Sequence, residues 1–378
     1  MIKRLRQSVG KLKRSSRGRD LHFEQPLLLF QSDDWGRVGV RDRDGWEALR
    51  SAGIDLGTKP YDFYSLEAAD DLEALSAVLR RHQDSVGRKP SVVMNFITAN
   101  VDFARSLETG RVFLRPLSEG LPAPWERPGL LAAYQNGMRE GLFFPALHGS
   151  SHFCERAISR ELVTNGERAD LLSTMWRAHT PYIYWRMPWI GYEYWDPEQS
   201  SDKQFLSIEE QSAAIGRAVE LYRALFGDTP ISACAPGYRA NADTMQAWFA
   251  AGVRVVQCGP GGPTAPSFDE NGMLSTFRNV EMEPATSKCT LEALLSQVEI
   301  CFGNRVPAVV SIHSINFHST LKDFRTPTLH LLDEFLGAVE TRWPNVLYIH
   351  DGDLYRIATE NAQEDLGTAA SGTEGARR

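Results

Sequence analysis

The chain has 378 residues, 42% of them apolar and 24% charged, which is ordinary globular material for one elaborated (β/α) barrel or two modest domains. Its formal charge of −7 combines +8 on residues 1–19 with −15 on the rest. An acidic body argues against nucleic acid as the partner, because phosphate contacts need a basic face. No run of eighteen apolar residues is present, and no apolar stretch follows the basic head, so neither a spanning helix nor a cleaved export signal is expected. Five cysteines (Cys154, Cys234, Cys258, Cys289 and Cys301) lack CxxC spacing and are odd in number, which fits a reducing compartment. A cytoplasmic protein is the expectation.

In chain order, Met1–Arg19 carries Ile2, Leu5, Val9 and Leu12 three or four apart. Residues 1–20 are therefore expected as a solvated basic arm, or as a weak amphipathic helix in peripheral contact with the inner face of a membrane. Leu27–Phe30 reads as the first strand, Ser65 opens a helix over Leu66–His82, and Val92–Phe96 and Leu142–Leu147 are the next strands. Ser207 and Glu210 form a capping box before a helix over Gln211–Phe226 that stops at Gly227. Ile231–Cys234 and Val253–Val256 are strands on either side of a helix over Ala242–Ala251 capped by Asn241. A helix over Thr290–Phe302, a strand at Val309–Ile312, a helix over Thr328–Arg342 and a strand at Val346–Ile349 complete a folded body of residues 21–358. The tail 359–378, rich in Gly, Ala, Thr and Glu, is expected to be disordered.

Strand and helix in alternation imply a parallel sheet covered by helices, either a barrel or an open doubly wound sheet. There is no GxGxxG after the first strand and no P-loop, which disfavours nucleotide binding. The chemistry-bearing residues share one placement. Leu27–Phe30 runs into Gln31-Ser32-Asp33-Asp34-Trp35-Gly36, Leu142–Leu147 into His148-Gly149-Ser150-Ser151-His152, and Val309–Ile312 into His313-Ser314. In parallel α/β folds the carboxyl ends of the strands form the rim on which sites assemble. Two imidazoles and one carboxylate make a three-donor site of the kind that holds catalytic zinc. Neighbours at a strand end point to opposite sides, so one of the two acids is free to act as a base while the other ligates.

Asp33-Asp34 followed by Gly36, His148-x-x-x-His152, the Pro236-Gly237 turn and Ile312-His313 resemble, in order, the motifs of the polysaccharide deacetylase family, carbohydrate esterases that include chitin and peptidoglycan deacetylases. The resemblance spans Leu27 to Tyr355 and implies a distorted (β/α) barrel of seven or eight strands. It implies that Asp34, His148 and His152 hold a divalent metal, usually zinc, with Asp33 as general base and His313 as general acid. The oxyanion donor maps to Gly237 or Tyr238. Cys234 stands where the family has an arginine that buttresses the base, which leaves Arg239 as the candidate guanidinium. The fourth family motif supplies a carboxylate to the acid histidine, and the matching Val255–Pro260 has none. The gap from Asp34 to His148 implies an insertion around Val101–Met138.

Tyr182, Tyr184, Trp185, Trp189, Tyr192, Tyr194 and Trp195 crowd one short stretch around Arg186. They suit either a sugar platform or a self-packed loop. Trp35, Trp185, Arg186, Trp189, Asn316 and His318 are the candidate substrate contacts. His350-Asp351-Gly352-Asp353 is expected at the same rim, as a turn whose acids cap the final short helix rather than as part of the site. The resulting expectation is a metal-dependent deacetylase of an N-acetylated sugar in a polysaccharide or its precursor. The alternatives are an amide hydrolase of a non-sugar substrate and a non-catalytic glycan-binding barrel. The sugar, the native metal and the oligomeric state are not legible.

Overall fold

The computed structural model describes residues 20–181, 187 and 190–360. The basic arm 1–19, the tail beyond residue 360, and Trp185, Arg186 and Trp189 lie outside the described residues. In chain order the strands are β1 (Leu27–Trp35), β2 (Val92–Phe96), β3 (Ala99–Val101), β4 (Leu114–Pro116), β5 (Phe143–Leu147), β6 (Ser232–Ala233), β7 (Val255–Pro260), β8 (Ser267–Phe268), β9 (Leu274–Arg278), β10 (Val280–Glu281), β11 (Ala308–His313) and β12 (Leu347–Tyr348). Seven positions run side by side and parallel in the order β11, β1, β2, β5, β6, β7 and β9.

The ring closes through one residue. Only Asn279 separates β9, which pairs with β7, from β10, which pairs with β11. The Asn279 backbone N–H donates to the Val309 carbonyl at 3.0 Å, and its side-chain oxygen accepts the Val309 N–H at 2.8 Å. A single run thus pairs with one neighbour in its first half and with the other in its second. The architecture is a distorted (β/α) barrel. Short β12 pairs with Leu27 and Leu28, before β2 takes over that edge of β1 at Phe30.

Strand alternation sorts side chains between two cores. Leu28 and Phe30 face outward against helix residues such as Leu72, Leu75 and Phe335. Leu27 and Leu29 face the barrel axis with Val255, Leu274 and Val309, and Ile349, Leu354 and Ala358 plug that end. Moving up the axis, the same strands change character: Leu29-x-Gln31-x-Asp33, Val255-x-Gln257, Leu274-x-Thr276-x-Arg278 and Val309-x-Ser311-x-His313. The interior is apolar at the amino ends of the strands and polar toward the carboxyl ends.

Several boundaries differ from expectation for identifiable reasons. The helix expected over Leu66–His82 spans Ala69–Leu79, because Glu67 is buried, bonding the Gly36 N–H and the Tyr134 hydroxyl instead of entering a first turn. The capping box of Ser207 and Glu210 starts a helix over Ile208–Phe226, and Gly227 ends it in the left-handed conformation. β9 escapes a search for continuous apolar runs because only Leu274 and Phe277 of its five residues are apolar. The segment after β2 holds the antiparallel pair β3 and β4 with a helix over Phe103–Thr109 between them. Asp20, expected in the arm, bridges to Ser267, and the helix over 351–360 runs two residues into the expected tail. His350-Asp351-Gly352-Asp353 is not at the rim: β12 pairs with the amino end of β1, so the segment enters from the opposite end of the barrel. All five cysteines are free thiols.

Candidate active site

Asp33 keeps the inward alternation of β1, but Asp34 does not continue it. Its φ is 75°, and the register against β2 shifts between Ser32 and Trp35. Aspartate tolerates the left-handed region better than most residues, and the resulting bulge turns the second carboxyl aside from the first. The Asp34 carbonyl is fixed by the Tyr64 hydroxyl at 2.8 Å and by Ser314 Oγ at 3.3 Å. One bulge gives two adjacent acids separate surroundings.

Asp33 meets a buried guanidinium. Arg278 donates from Nη2 to Oδ1 at 2.5 Å and from Nη1 to Oδ2 at 2.8 Å, and Asn95 Nδ2 adds a bond to Oδ1 at 2.7 Å. Burial by itself would raise the Asp33 carboxyl, but Arg278, with His148 and His313 nearby, outweighs it and holds the group well below the usual carboxylate range. Arg278 sits on β9, outside every stretch singled out in the sequence. Arg239 instead lies over the Trp195 ring, 4.7 Å from its centroid. The structure thus brings Arg278, and not Arg239, to Asp33.

Asp34 gathers the two histidines. One ligand atom each from Asp34, His148 and His152 lies within 4.8 Å of the others, and all three residues are buried. His148 leaves the end of β5, and His152 sits in the turn before the helix over Glu155–Thr164. That turn needs glycine at 149: its φ is 106°, and a Cβ there would overlap the buried Glu193 carboxylate. Glu193 in turn accepts the Ser150 N–H at 3.0 Å.

These donors fit a divalent cation. Among the described residues Asp34 Oδ1 is buried without a hydrogen-bond partner, although His152 Nε2 is 3.1 Å away and His148 Nε2 is 3.7 Å away. The three atoms crowd together without hydrogen-bond geometry, as donors around one ion do. His148 Nδ1 bonds the Cys234 carbonyl at 2.9 Å, so that nitrogen carries the proton and Nε2 keeps its lone pair. Burial lowers His148, and lowers His152 to about 3, keeping both rings neutral. His152 carries one conflict. Arg37 Nη1 lies 3.1 Å from its Nδ1, and an arginine only donates, so the neutral ring must hold its proton on Nε2 until Arg37 lets go. Arg37 Nη2 also stands 3.3 Å from Asp34 Oδ2. Against the burial that would raise it, Arg37 and then His152 bring the Asp34 carboxyl down to about 2.

A second grouping, Asp33, His148 and Cys234, is as compact. It suits a metal less, because both Asp33 oxygens already accept from Arg278, with Asn95 also on Oδ1 and only Oδ2 left able to accept a further proton, and burial pushes the Cys234 thiol well up, keeping it protonated.

His313 closes the other side. Its Nε2 is 3.7 Å from Asp33 Oδ2, and its Nδ1 bonds Glu283 Oε1 at 2.6 Å. Burial alone would lower the ring, but the Glu283 carboxylate raises it to about 9. Glu283 therefore supplies the carboxylate that Val255–Pro260 lacks, from the segment after β10. Asn316 does not face a ligand: it is buried and donates to Glu283 Oε2 at 2.7 Å.

The remaining candidates are placed as follows. Trp35 is fully buried, bonds Ser32 Oγ at 2.8 Å and stacks on Phe317, so it packs the core and cannot touch a ligand. His318 is buried against Tyr64, with Nε2 3.3 Å from Glu67. Gly237 (φ 60°) and Tyr238 (φ 57°) form the turn beside Cys234, where a Cβ at 237 would come 2.5 Å from the Gly191 carbonyl. The Tyr238 N–H is spent on the Ala235 carbonyl, and its hydroxyl accepts from Arg278 Nη1 at 2.9 Å. A cleft of about 410 Å³ opens beside His313, walled by Tyr61, Tyr238, Lys59 and Thr286.

No known protein-family profile matches the chain, and no curated protein does. Solved structures similar to it include a candidate polysaccharide deacetylase from Mycobacterium smegmatis, 10% identical with a TM-score of 0.46 over 92% of this chain and 94% of that one. A family 4 carbohydrate esterase from Streptomyces lividans, in complex with acetate, is 10% identical with a TM-score of 0.36 over 88% and 94%. The peptidoglycan deacetylase PdaC from Bacillus subtilis is 10% identical with a TM-score of 0.39 over 90% and 96%. These are likenesses of fold alone, and a functional reading of this chain has to rest on its own side chains at the barrel mouth.

Proposed function

We propose that this chain is a metal-dependent amide hydrolase that removes acetyl from an N-acetylated sugar of a polysaccharide or its precursor. The observation that carries the reading is the division of labour between two adjacent acids: Asp33 Oδ2 lies 3.7 Å from His313 Nε2, while Asp34 Oδ1 faces the two histidines.

A divalent metal held by Asp34, His148 and His152 would polarise the acetamide carbonyl and acidify water. Zinc suits one carboxylate and two imidazoles, as do cobalt, nickel, manganese and iron. Asp33, ionised throughout the working range by Arg278, takes the proton of the attacking water. Its weak basicity means that the proton is loosely held and readily passed on. His313, kept protonated by Glu283, delivers a proton to the departing amine so that it leaves neutral. Of the two turn donors, Gly237 N–H is the one to hold the oxyanion, because Tyr238 N–H is already used. The cleft beside His313 has room for the sugar that bears the amine, with tyrosine rings to meet its apolar face.

Cys234 and the carboxylate-free Val255–Pro260 favour the non-catalytic reading, but a guanidinium and a carboxylate come from Arg278 and Glu283 elsewhere in the chain. The test is acetate release from N-acetylated sugars and from small acylated amines, with Asp33→Asn as control. Release from sugars that Asp33→Asn abolishes supports the reading. Release only from acylated amines moves the substrate class, and none from either ends it. Peripheral membrane contact through Met1–Arg19 is part of the same proposal, and unchanged membrane partitioning after deletion of residues 1–19 would remove it.

A further inference from the structure

Beneath the rim, the barrel axis holds a second buried acid that the mechanism above does not use. Asp351 enters from the far end of the barrel and is fully buried. Its Oδ1 accepts from Gln31 Nε2 at 2.8 Å, and its Oδ2 accepts from Gln257 Nε2 at 2.7 Å. Above those amides lies Arg278. Its Nη2 donates to Gln257 Oε1 at 3.1 Å and its Nε donates to Gln31 Oε1 at 3.4 Å.

Two glutamine amides therefore span the gap between a guanidinium and a carboxylate, aligned the same way. A guanidinium only donates and an ionised carboxylate only accepts, so the two poles set the direction of both amides. Gln257 passes the order sideways: its Nε2 donates to Asn95 Oδ1 at 2.9 Å, and Asn95 Nδ2 returns a bond to Gln257 Oε1 at 2.7 Å while also reaching Asp33. Turning the Gln257 amide over would aim an N–H group at Arg278 and at the Asn95 donor at once. Chains of this kind in a low-dielectric interior stand or fall together.

We propose that Asp351 is a positioning residue: by orienting the Gln31 and Gln257 amides, it locks Arg278 and Asn95 in the arrangement that holds Asp33. The inference goes beyond the proposed reaction, resting on it only for the effect on rate. Asp351→Asn keeps the shape and replaces one acceptor by a donor, so one of the two amides must turn or lose its partner. Asp353→Asn is the control, since Asp353 pairs with Arg88 near the surface.

The experiment follows the side-chain amide signals of Asn95, Gln31 and Gln257 and the Nε–H signal of Arg278 by nuclear magnetic resonance, beside steady-state acetate release. Asp351→Asn should shift these signals and speed their exchange with solvent, and Asp353→Asn should leave them in place. kcat should fall about tenfold in Asp351→Asn with KM unchanged, because the cleft beside His313 is untouched. Should Asp351→Asn not fold, Gln31→Met removes one of the two bridges with Asp351 in place, and should move the Arg278 signal in a folded protein. Unmoved Arg278 and Asn95 signals in whichever variant folds would overturn the proposal, as would an unchanged kcat in Asp351→Asn. If the wild-type chain releases no acetate, the proposed reaction fails while the resonance readout still decides the role of Asp351.

Discussion

Arg278 and Asp33, 245 residues apart in the chain, meet in a fully buried bidentate pair at 2.5 and 2.8 Å. The pair answers the question that Cys234 raises. A carboxylate this deeply enclosed needs a cation, and β9 supplies it across the barrel, from the strand next to β7.

Removing that cation should cost more than activity. Arg278→Met leaves Asp33 buried and unpaired, and breaking a buried pair in this way typically costs about 3–5 kcal/mol. Chemical denaturation should show a loss of that order, with acetate release abolished. Arg278→Lys should fall between, since an ammonium cannot make the two parallel bonds. A Met variant as stable as wild type would mean that Asp33 does not depend on the guanidinium.

The His313–Glu283 pair predicts a pH dependence of known sign. The folded pKa, about 9, lies above the ordinary 6.5. The stability it contributes is therefore fully present below about 6.5 and is lost as pH rises through about 9. Activity that needs a protonated His313 should fall over the same upper limb. In Glu283→Gln that limb should move toward neutral pH, and a profile that stays in place would remove Glu283 from the role.

Zinc added to metal-free protein should raise its melting temperature, because an ion that binds only the folded chain stabilises it by mass action. Asp34→Ala should abolish the rise and the bound metal seen by elemental analysis. Equal metal in both proteins would dissolve the proposed site.

Arg37 should oppose the ion. It stands 3.3 Å from Asp34 Oδ2 and occupies His152 Nδ1, so a cation must repel it and free the ring to change tautomer. Arg37→Met should bind zinc about tenfold more tightly by calorimetric titration. Weaker binding would instead make Arg37 a support for the Asp34 carboxylate.

Much of the site was legible in the sequence because strand ends are legible: Asp33-Asp34, His148 and His313 each follow a short apolar run, and parallel strands deliver such ends to one rim. Arg278 and Glu283 were not, although each is as close to the chemistry. Arg278 ends a strand with only two apolar residues in five and no apolar–polar alternation, and Glu283 follows a two-residue one, so neither stands out by periodicity. Trp35 and His350–Asp353 show the converse: adjacency to a motif or a strand end suggested exposure at the rim, but packing against Phe317 and entry beside the amino end of β1 decided otherwise.

Local sequence determined which residues could end strands and carry charge, since hydrophobic runs, caps and turn residues act over a few neighbours. Only the closed barrel decided which charges face one another. Asn279 switches one run from β7 to β11, and that switch puts Arg278 over Asp33 and Glu283 beside His313. Partners recruited across a ring have no fixed spacing along the chain, because a bond through space requires only that the fold bring donor to acceptor.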